Sequence, residues 1–434
     1  MKRIIVIALC LAGLQGFSQQ QLSLLDAINT ALQKSYDIQI ARNNLEISTT
    51  NNYIGVAGGL PTVTATANDN EQVTTINQKF TDASRNTKRS NVSSNNLTAG
   101  VTGSILIFNG WRVVATRQRL DQLEKQNREL LKAQIQNTIA AVMTKYYDVV
   151  RQQGMLGTIR LSIAASQQRL DIVKVRKDVG LANNADLFQA QIDLNALQQS
   201  LQSQQLVINT AKTDLQTLMF MKPDSTVVLT DTVIVIDRNV RFDSVRNAML
   251  ANPEILAANQ QITINELIEK ETAAQRYPTL RASTGYNFSS SQSGAGFSLL
   301  NQSYGPFVGL NLSVPIYNGT IFKRQQKVAE INTRNATLTR DNLYLGFENS
   351  AMRNYQAYTN ALEQLRTQEQ TYQIARQLLD VTLQRFQQGV GTLVEVKLAQ
   401  QSFETEGYRL VNLTFLAKVA EVELKRLSNQ LTPP

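Results

Sequence analysis

The chain repeats itself. Val175-Arg176-Lys177-Asp178-Val179-Gly180-Leu181-Ala182-Asn183-Asn184-Ala185-Asp186-Leu187 returns at a constant offset of 209 residues as Gln384-Arg385-Phe386-Gln387-Gln388-Gly389-Val390-Gly391-Thr392-Leu393-Val394-Glu395-Val396. An Arg, a Gly, a small or polar pair, an acid and an apolar residue fall in register. Long helical patterns flank each copy, so each reads as the tip of a helical hairpin. The Gly ends one helix with a left-handed residue, and Asn183 or Thr392 caps the next. Any fold for this chain must therefore make the same hairpin twice.

The rest of the chain doubles around these tips. A polar helix is expected from Leu22 to Gly58, with Leu25, Ile28, Leu32, Ile38 and Leu45 on one side. After Leu60-Pro61 the apolar period falls to two. Val63, Ala65 and Ala67 alternate with threonines, and a second strand pattern runs from Leu97 to Ile107 and ends in Phe108-Asn109-Gly110-Trp111. The stretch between them, Asn68 to Asn96, reads as a polar loop. Trp111 to Val179 holds no proline and has apolar residues every three or four positions, which predicts one helix with Gly154 and Gly157 as candidate bends. The next helix carries heptads at Leu187, Leu194, Leu201, Ile208 and Leu215, a coiled-coil seam interrupted at Gln204.

Pro223 closes this first copy. Val227–Leu229 and Val233–Ile236 suggest short β segments in a linker. Tyr277-Pro278-Thr279 then answers Leu60-Pro61-Thr62, and Ile316-Tyr317-Asn318-Gly319 answers Ile107-Phe108-Asn109-Gly110. Two more alternating strands lie between, Leu280 to Phe288 and Val308 to Ile316, joined by an expected loop from Ser289 to Ser303. The division is a leader at residues 1–18, a first repeat at 19–220, a linker at 221–242 and a second repeat at 243–434.

Charge and cysteine usage narrow the chemistry. Met1-Lys2-Arg3 followed by an apolar run to Phe17 has the layout of a secretory signal peptide. Removing it lowers the formal net charge from +9 to +7 and takes away Cys10, the one cysteine of a chain without histidine. Disulfides, His/Cys metal sites and mechanisms that need an imidazole or a thiolate are then excluded. Nothing in the sequence calls for a cofactor, and an enzyme is the least favoured class. The basic residues are scattered, with no stripe of the kind that binds nucleic acid.

No further window is long and apolar enough for a membrane helix, so a membrane role would use the strands. Four strands do not close a membrane barrel, which needs at least about eight. Either they form a small soluble sheet, or several chains share one barrel, and three chains give twelve strands. Phe108, Trp111, Tyr277 and Tyr317 cluster where strands meet helices, the place of an aromatic girdle. In the other reading they simply cover the end of a sheet.

With its doubled plan, Asn-Gly turns, Leu-Pro and Tyr-Pro before the upward strands and Arg-x-x-x-Gly tips, the mature chain resembles TolC-like outer-membrane efflux proteins over nearly its whole length. The resemblance implies a mainly α fold with a small β part. Tandem helical hairpins would form an α-helical tunnel, and four strands from each chain of a homotrimer would build a 12-stranded transmembrane β-barrel. It also implies a passive export duct in the outer membrane, most of it in the periplasm, that meets a periplasmic adaptor protein and an inner-membrane pump. Glu395, and Asp186 in the first repeat, match the place of the family's acidic pore constriction. A second acid expected three residues later is Leu398 here. Arg176, Gly180, Arg385 and Gly389 match the adaptor-docking tips. Each acid also has an ordinary reading as a first-turn residue that favours a helix N-terminus. The alternative for the whole chain is a soluble periplasmic or secreted coiled-coil interaction protein.

Overall fold

A computed structural model describes residues 20–222, 227–294 and 298–431. The expected leader, residues 1–18, lies outside the described residues. The elements run β1 (Gln20–Leu22), α1 (Leu24–Lys34), α2 (Tyr36–Asn51), β2 (Thr62–Gln78), β3 (Thr87–Phe108), α3 (Arg112–Asp178) and α4 (Asn184–Leu218). The second half follows with β4 (Val227–Leu229), α5 (Phe242–Met249), α6 (Pro253–Ala274), β5 (Thr279–Ser293), β6 (Leu300–Ser313), α7 (Ile321–Gln387) and α8 (Leu393–Leu427). The duplication is carried to the residue. Helices α3 and α7 are 67 residues each and α4 and α8 are 35 each, with both ends displaced by the sequence offset. Gly154 and Gly157 lie inside an uninterrupted α3.

Two compact units divide the chain. The first gathers residues up to Asn43, Glu129–Leu256 and the chain from Asp341 onward. Its helices pair antiparallel, as successive contacts show. Arg169 bonds Asp193, Gln204 bonds Gln152 and Lys145 bonds Asp214 between α3 and α4. The heptad residues Leu194, Ile208 and Leu215 are buried in this seam, and Gln204, its polar interruption, is satisfied by the Gln152 side chain and backbone. Near the tips, Leu170, Val173, Leu194, Leu383, Phe386 and Phe403 form one apolar cluster. Each such side chain contributes about 1.5–3 kcal/mol through burial. The second unit, Asn44–Arg128 with Ala257–Arg340, holds one antiparallel sheet ordered β2-β3-β5-β6.

Three expectations need correction. The helix expected from Leu22 to Gly58 is broken at Ser35, whose hydroxyl accepts from the Ile38 N–H and starts a new helix. Its counterpart breaks before Pro253, which occupies the first helical position behind the capping side chain of Asn252. The segments expected as loops, Asn68–Asn96 and Ser289–Ser303, largely continue the hairpins. Polar cross-strand pairs such as Asn95 to Asp69 hold the long one together, and a turn capped by Asp82 closes it. Val233–Ile236 is no strand. Ile234 and Ile236 instead pack against helical cores, while Val227–Leu229 pairs in parallel with Gln20–Leu22.

Candidate functional site: two hairpin tips and an amphipathic sheet

Both tips are built alike. Gly180 and Gly389 sit at φ +78° and +86°. The Leu181 N–H donates to the Arg176 carbonyl at 2.7 Å and Gly180 to Lys177 at 2.9 Å; Val390 to Arg385 at 3.0 Å and Gly389 to Phe386 at 3.1 Å repeat the pattern. These are Schellman closures, in which a left-handed glycine lets the last carbonyls of a helix find donors. The shared arginine is thus the residue whose carbonyl takes the long closing bond, a backbone role any residue type could fill. Its side chain differs between copies. The Arg385 side chain is exposed, whereas the Arg176 guanidinium lies 4.8 Å from the centre of the Phe386 ring and ties one tip to the other. A cation held over an aromatic face gains about 0.5–1 kcal/mol at an accessible site.

Asp186 and Glu395 stand in reciprocal capping boxes. The Asp186 N–H donates to the Asn183 side chain and its carboxylate accepts from the Asn183 N–H; Thr392 and Glu395 do the same. The first-turn reading therefore holds in the single chain. The capping bond uses one carboxylate oxygen and leaves Glu395 exposed, so the local role and a role in an assembly are compatible.

Sequence reasoning missed the charge cluster beside the tips. Arg169 of α3 is fully buried and donates to Asp193 of α4 at 2.9 Å, and the same carboxylate accepts from Lys397 of α8 at 2.9 Å. Burial pulls the Arg169 pKa below its ordinary value, and Asp193 opposes the shift. The signal was present as Arg169 on the same α3 stripe as Val173. Its partner lies in a different helix and no local rule points to it.

The sheet has two unlike faces. Register places Val63, Gly103, Thr284 and Val308 in one row and Ala67, Ala99, Phe288 and Tyr304 in another. This face is apolar and exposed, with Val308 at 85% and Leu310 at 72%. The opposite face carries Thr62, Ser104 and Ser283, then Asn68, Thr98 and Ser289. At its helix end the Asn109-Gly110-Trp111 and Asn318-Gly319-Thr320 turns each put two successive residues at positive φ. A Cβ at Gly110 would come within 2.6 Å of the Tyr277 Cβ, so only glycine fits there. The turn brings Phe108 edge-on to Trp111, with ring centres 6.1 Å apart. Phe108, Trp111 and Tyr277 therefore meet at one junction. Tyr317 lies in the separate connection from β6 to α7 and is 83% exposed.

Comparison with known proteins agrees with this plan. The family model described as outer membrane efflux protein matches residues 27–219 and 245–430. Toxin and drug export protein A of Aggregatibacter actinomycetemcomitans is 23% identical over 326 residues, covering 73% of this chain and 70% of that protein. Outer membrane protein TolC of Vibrio cholerae is 24% identical over 324 residues, covering 72% and 73%. Among solved structures, the outer membrane protein VceC of Vibrio cholerae superposes with a TM-score of 0.76 at 17% identity over 93% of this chain and 95% of that one. The Campylobacter jejuni CmeC outer membrane channel gives 0.76 at 15% identity over 94% and 87%.

Proposed function

This chain belongs to the outer membrane efflux protein family, a family of passive channels and not of enzymes, and on that premise we propose that it is the trimeric outer-membrane duct of a tripartite efflux or type I secretion system. The observation that carries the proposal is the pair of free edges on the sheet. Strands β2 and β6 are 17 and 14 residues long, and among the described residues each is paired on one side only. In lipid, every edge N–H and C=O left without a partner costs several kcal/mol, so the sheet must close. β2 and β6 run in opposite directions, so β6 of one copy meets β2 of the next antiparallel, and the alternation continues through any number of copies.

The apolar band suits the outside of such a barrel. From the Leu280 row to the Phe288 row it spans eight residues along β5, roughly 27 Å at ~3.4 Å per residue before strand tilt. The membrane band of such barrels is about 25 Å tall. Phe108, Trp111, Tyr277 and Tyr317 then lie at the level of an interface girdle. Three copies bring three Glu395 carboxylates, with Asp186 beside them, to a constriction that favours cations. The tips, with Arg176, Gly180, Arg385 and Gly389, present the surface for a periplasmic adaptor, through which an inner-membrane pump supplies the energy.

Native mass of protein extracted in mild detergent from isolated outer membranes tests the proposal. A mass of three chains, obtained only with detergent, is expected. A monomer or dimer released by osmotic shock alone overturns it in favour of a soluble coiled-coil protein.

A further inference from the structure

The polar face of the sheet is uncharged from the row of Thr62, Ser104, Ser283 and Gly309 to the row of Gln72, Ser94 and Ser293. The next row toward the helices, Leu106, Arg281 and Asn311, brings in a single charge. Arg281 and Asn311 line an open cleft of about 480 Å³ together with Asn109, Arg112 and Arg119. Glu271 is the one acid in its wall, and it is bonded to Arg119 at 2.7 Å. Among the described residues Arg112 and Arg281 have no acidic partner, and both are exposed.

The helix that starts here adds to the imbalance. Helices α1, α2, α4, α5, α6 and α8 each carry an acid in the first turn, which offsets the positive end of the helix dipole. Helices α3 and α7, the two that follow the sheet, carry none, and α3 opens with Arg112 inside the cleft. Two guanidinium groups without an acidic partner and a helix N-terminus that carries no acid, capped only by the Asn109 amide, therefore line the same open space, next to an uncharged wall made mostly of hydroxyl and amide side chains.

We propose that this cleft is an anion-binding collar, in which Arg112 and Arg281 engage phosphate or carboxylate groups that enter the barrel. The proposal rests on the duct described above, which turns the polar face of the sheet inward. A guanidinium presents a planar fork of donors that fits oxyanions bidentately. Three copies supply six such groups on one perimeter, and a ring of that sign favours anions. The uncharged wall beyond them offers hydrogen bonds without holding the anion, so a bound group is passed on.

Single-channel recording of the full-length protein in planar bilayers tests this, with tripolyphosphate added to each side in turn. Tripolyphosphate is expected to reduce the conductance, less so as KCl is raised. In the double variant Arg112→Gln/Arg281→Gln the half-blocking concentration is expected to rise about tenfold, as an electrostatic focusing effect of this kind allows. The variant Lys79→Gln/Lys88→Gln removes the same charge from the β2–β3 hairpin and should keep the wild-type block. Equal block of the wild type and the arginine variant, or equal loss in both variants, overturns the collar. A purified protein that gives no conductance steps and no trimer mass overturns the duct instead.

Discussion

At the tips a single backbone angle carries the local structure. A Cβ at Gly180 would meet no atom within 4 Å, and one at Gly389 would come no closer than 3.6 Å to the Arg176 side chain. Substitution there is costly through φ rather than through crowding, by about 1–2 kcal/mol for a side-chain-bearing residue held left-handed. Gly389→Val is therefore expected to keep the trimer in the membrane, by native mass, and to abolish efflux, by accumulation of an exported dye. Loss of the trimer would make the glycine purely structural. Glu395 separates its two roles by chemistry. Glu395→Gln keeps the capping geometry and removes the charge, whereas Glu395→Ala removes both at about 1 kcal/mol. Reduced cation selectivity in both variants, with a lowered melting temperature in the alanine variant alone, is the expected outcome. The capping boxes were legible from Asn183-x-x-Asp186 and Thr392-x-x-Glu395, because every partner is local. The stacking of Arg176 on Phe386 was not, since it joins residues 210 positions apart and its first-repeat counterpart is Lys177.

Among the elements, the long helices could be read almost to the residue. An unbroken 3.6-residue period without proline, closed by an Arg-x-x-x-Gly signal, leaves little choice. The breaks in the shorter helices are harder to see at Ser35, an ordinary polar residue until the chain turns at it, than at Asn252-Pro253, where the proline disfavours a helical residue before it. The polar hairpins are hidden in the sequence for a different reason. Their strands lack an apolar face beyond the Ala67 row, so the period that marks a strand fades while the backbone ladder continues. Charge pairing across helices also escaped the sequence, and it carries a prediction. Asp193 bridges Arg169 and Lys397 from three different helices. Asp193→Ala leaves a buried guanidinium without its partner and is expected to cost about 3 kcal/mol. The double variant Arg169→Met/Asp193→Leu should regain most of that. Thermal unfolding followed by circular dichroism reads both, and equal destabilisation of the two variants would show that the charges stabilise through something other than their pairing.

For the molecule as a whole, the proposed duct requires one face of the sheet to meet lipid and the other not to. Val308 and Ser303 stand on the same strand with opposite orientation. Val308→Arg places a charge on the apolar face at a cost of about 2–4 kcal/mol near the middle of a bilayer and is expected to deplete the protein from the outer-membrane fraction. Ser303→Arg adds the same charge to the polar face and should leave that fraction unchanged; parallel behaviour of the two variants would refute the assignment of faces. In the proposed duct the same sheet also sets what the cell presents to the outside. The apolar rows stop near Ala67, Ala99, Phe288 and Tyr304, yet β2 runs on to Gln78 while β5 ends at Ser293. One hairpin of each copy thus overtops the other, with the turn around Asp82–Asn86 at its summit. To an antibody or a phage the protein would be little more than that polar crest, and mutations there would change its recognition while leaving the transport path alone.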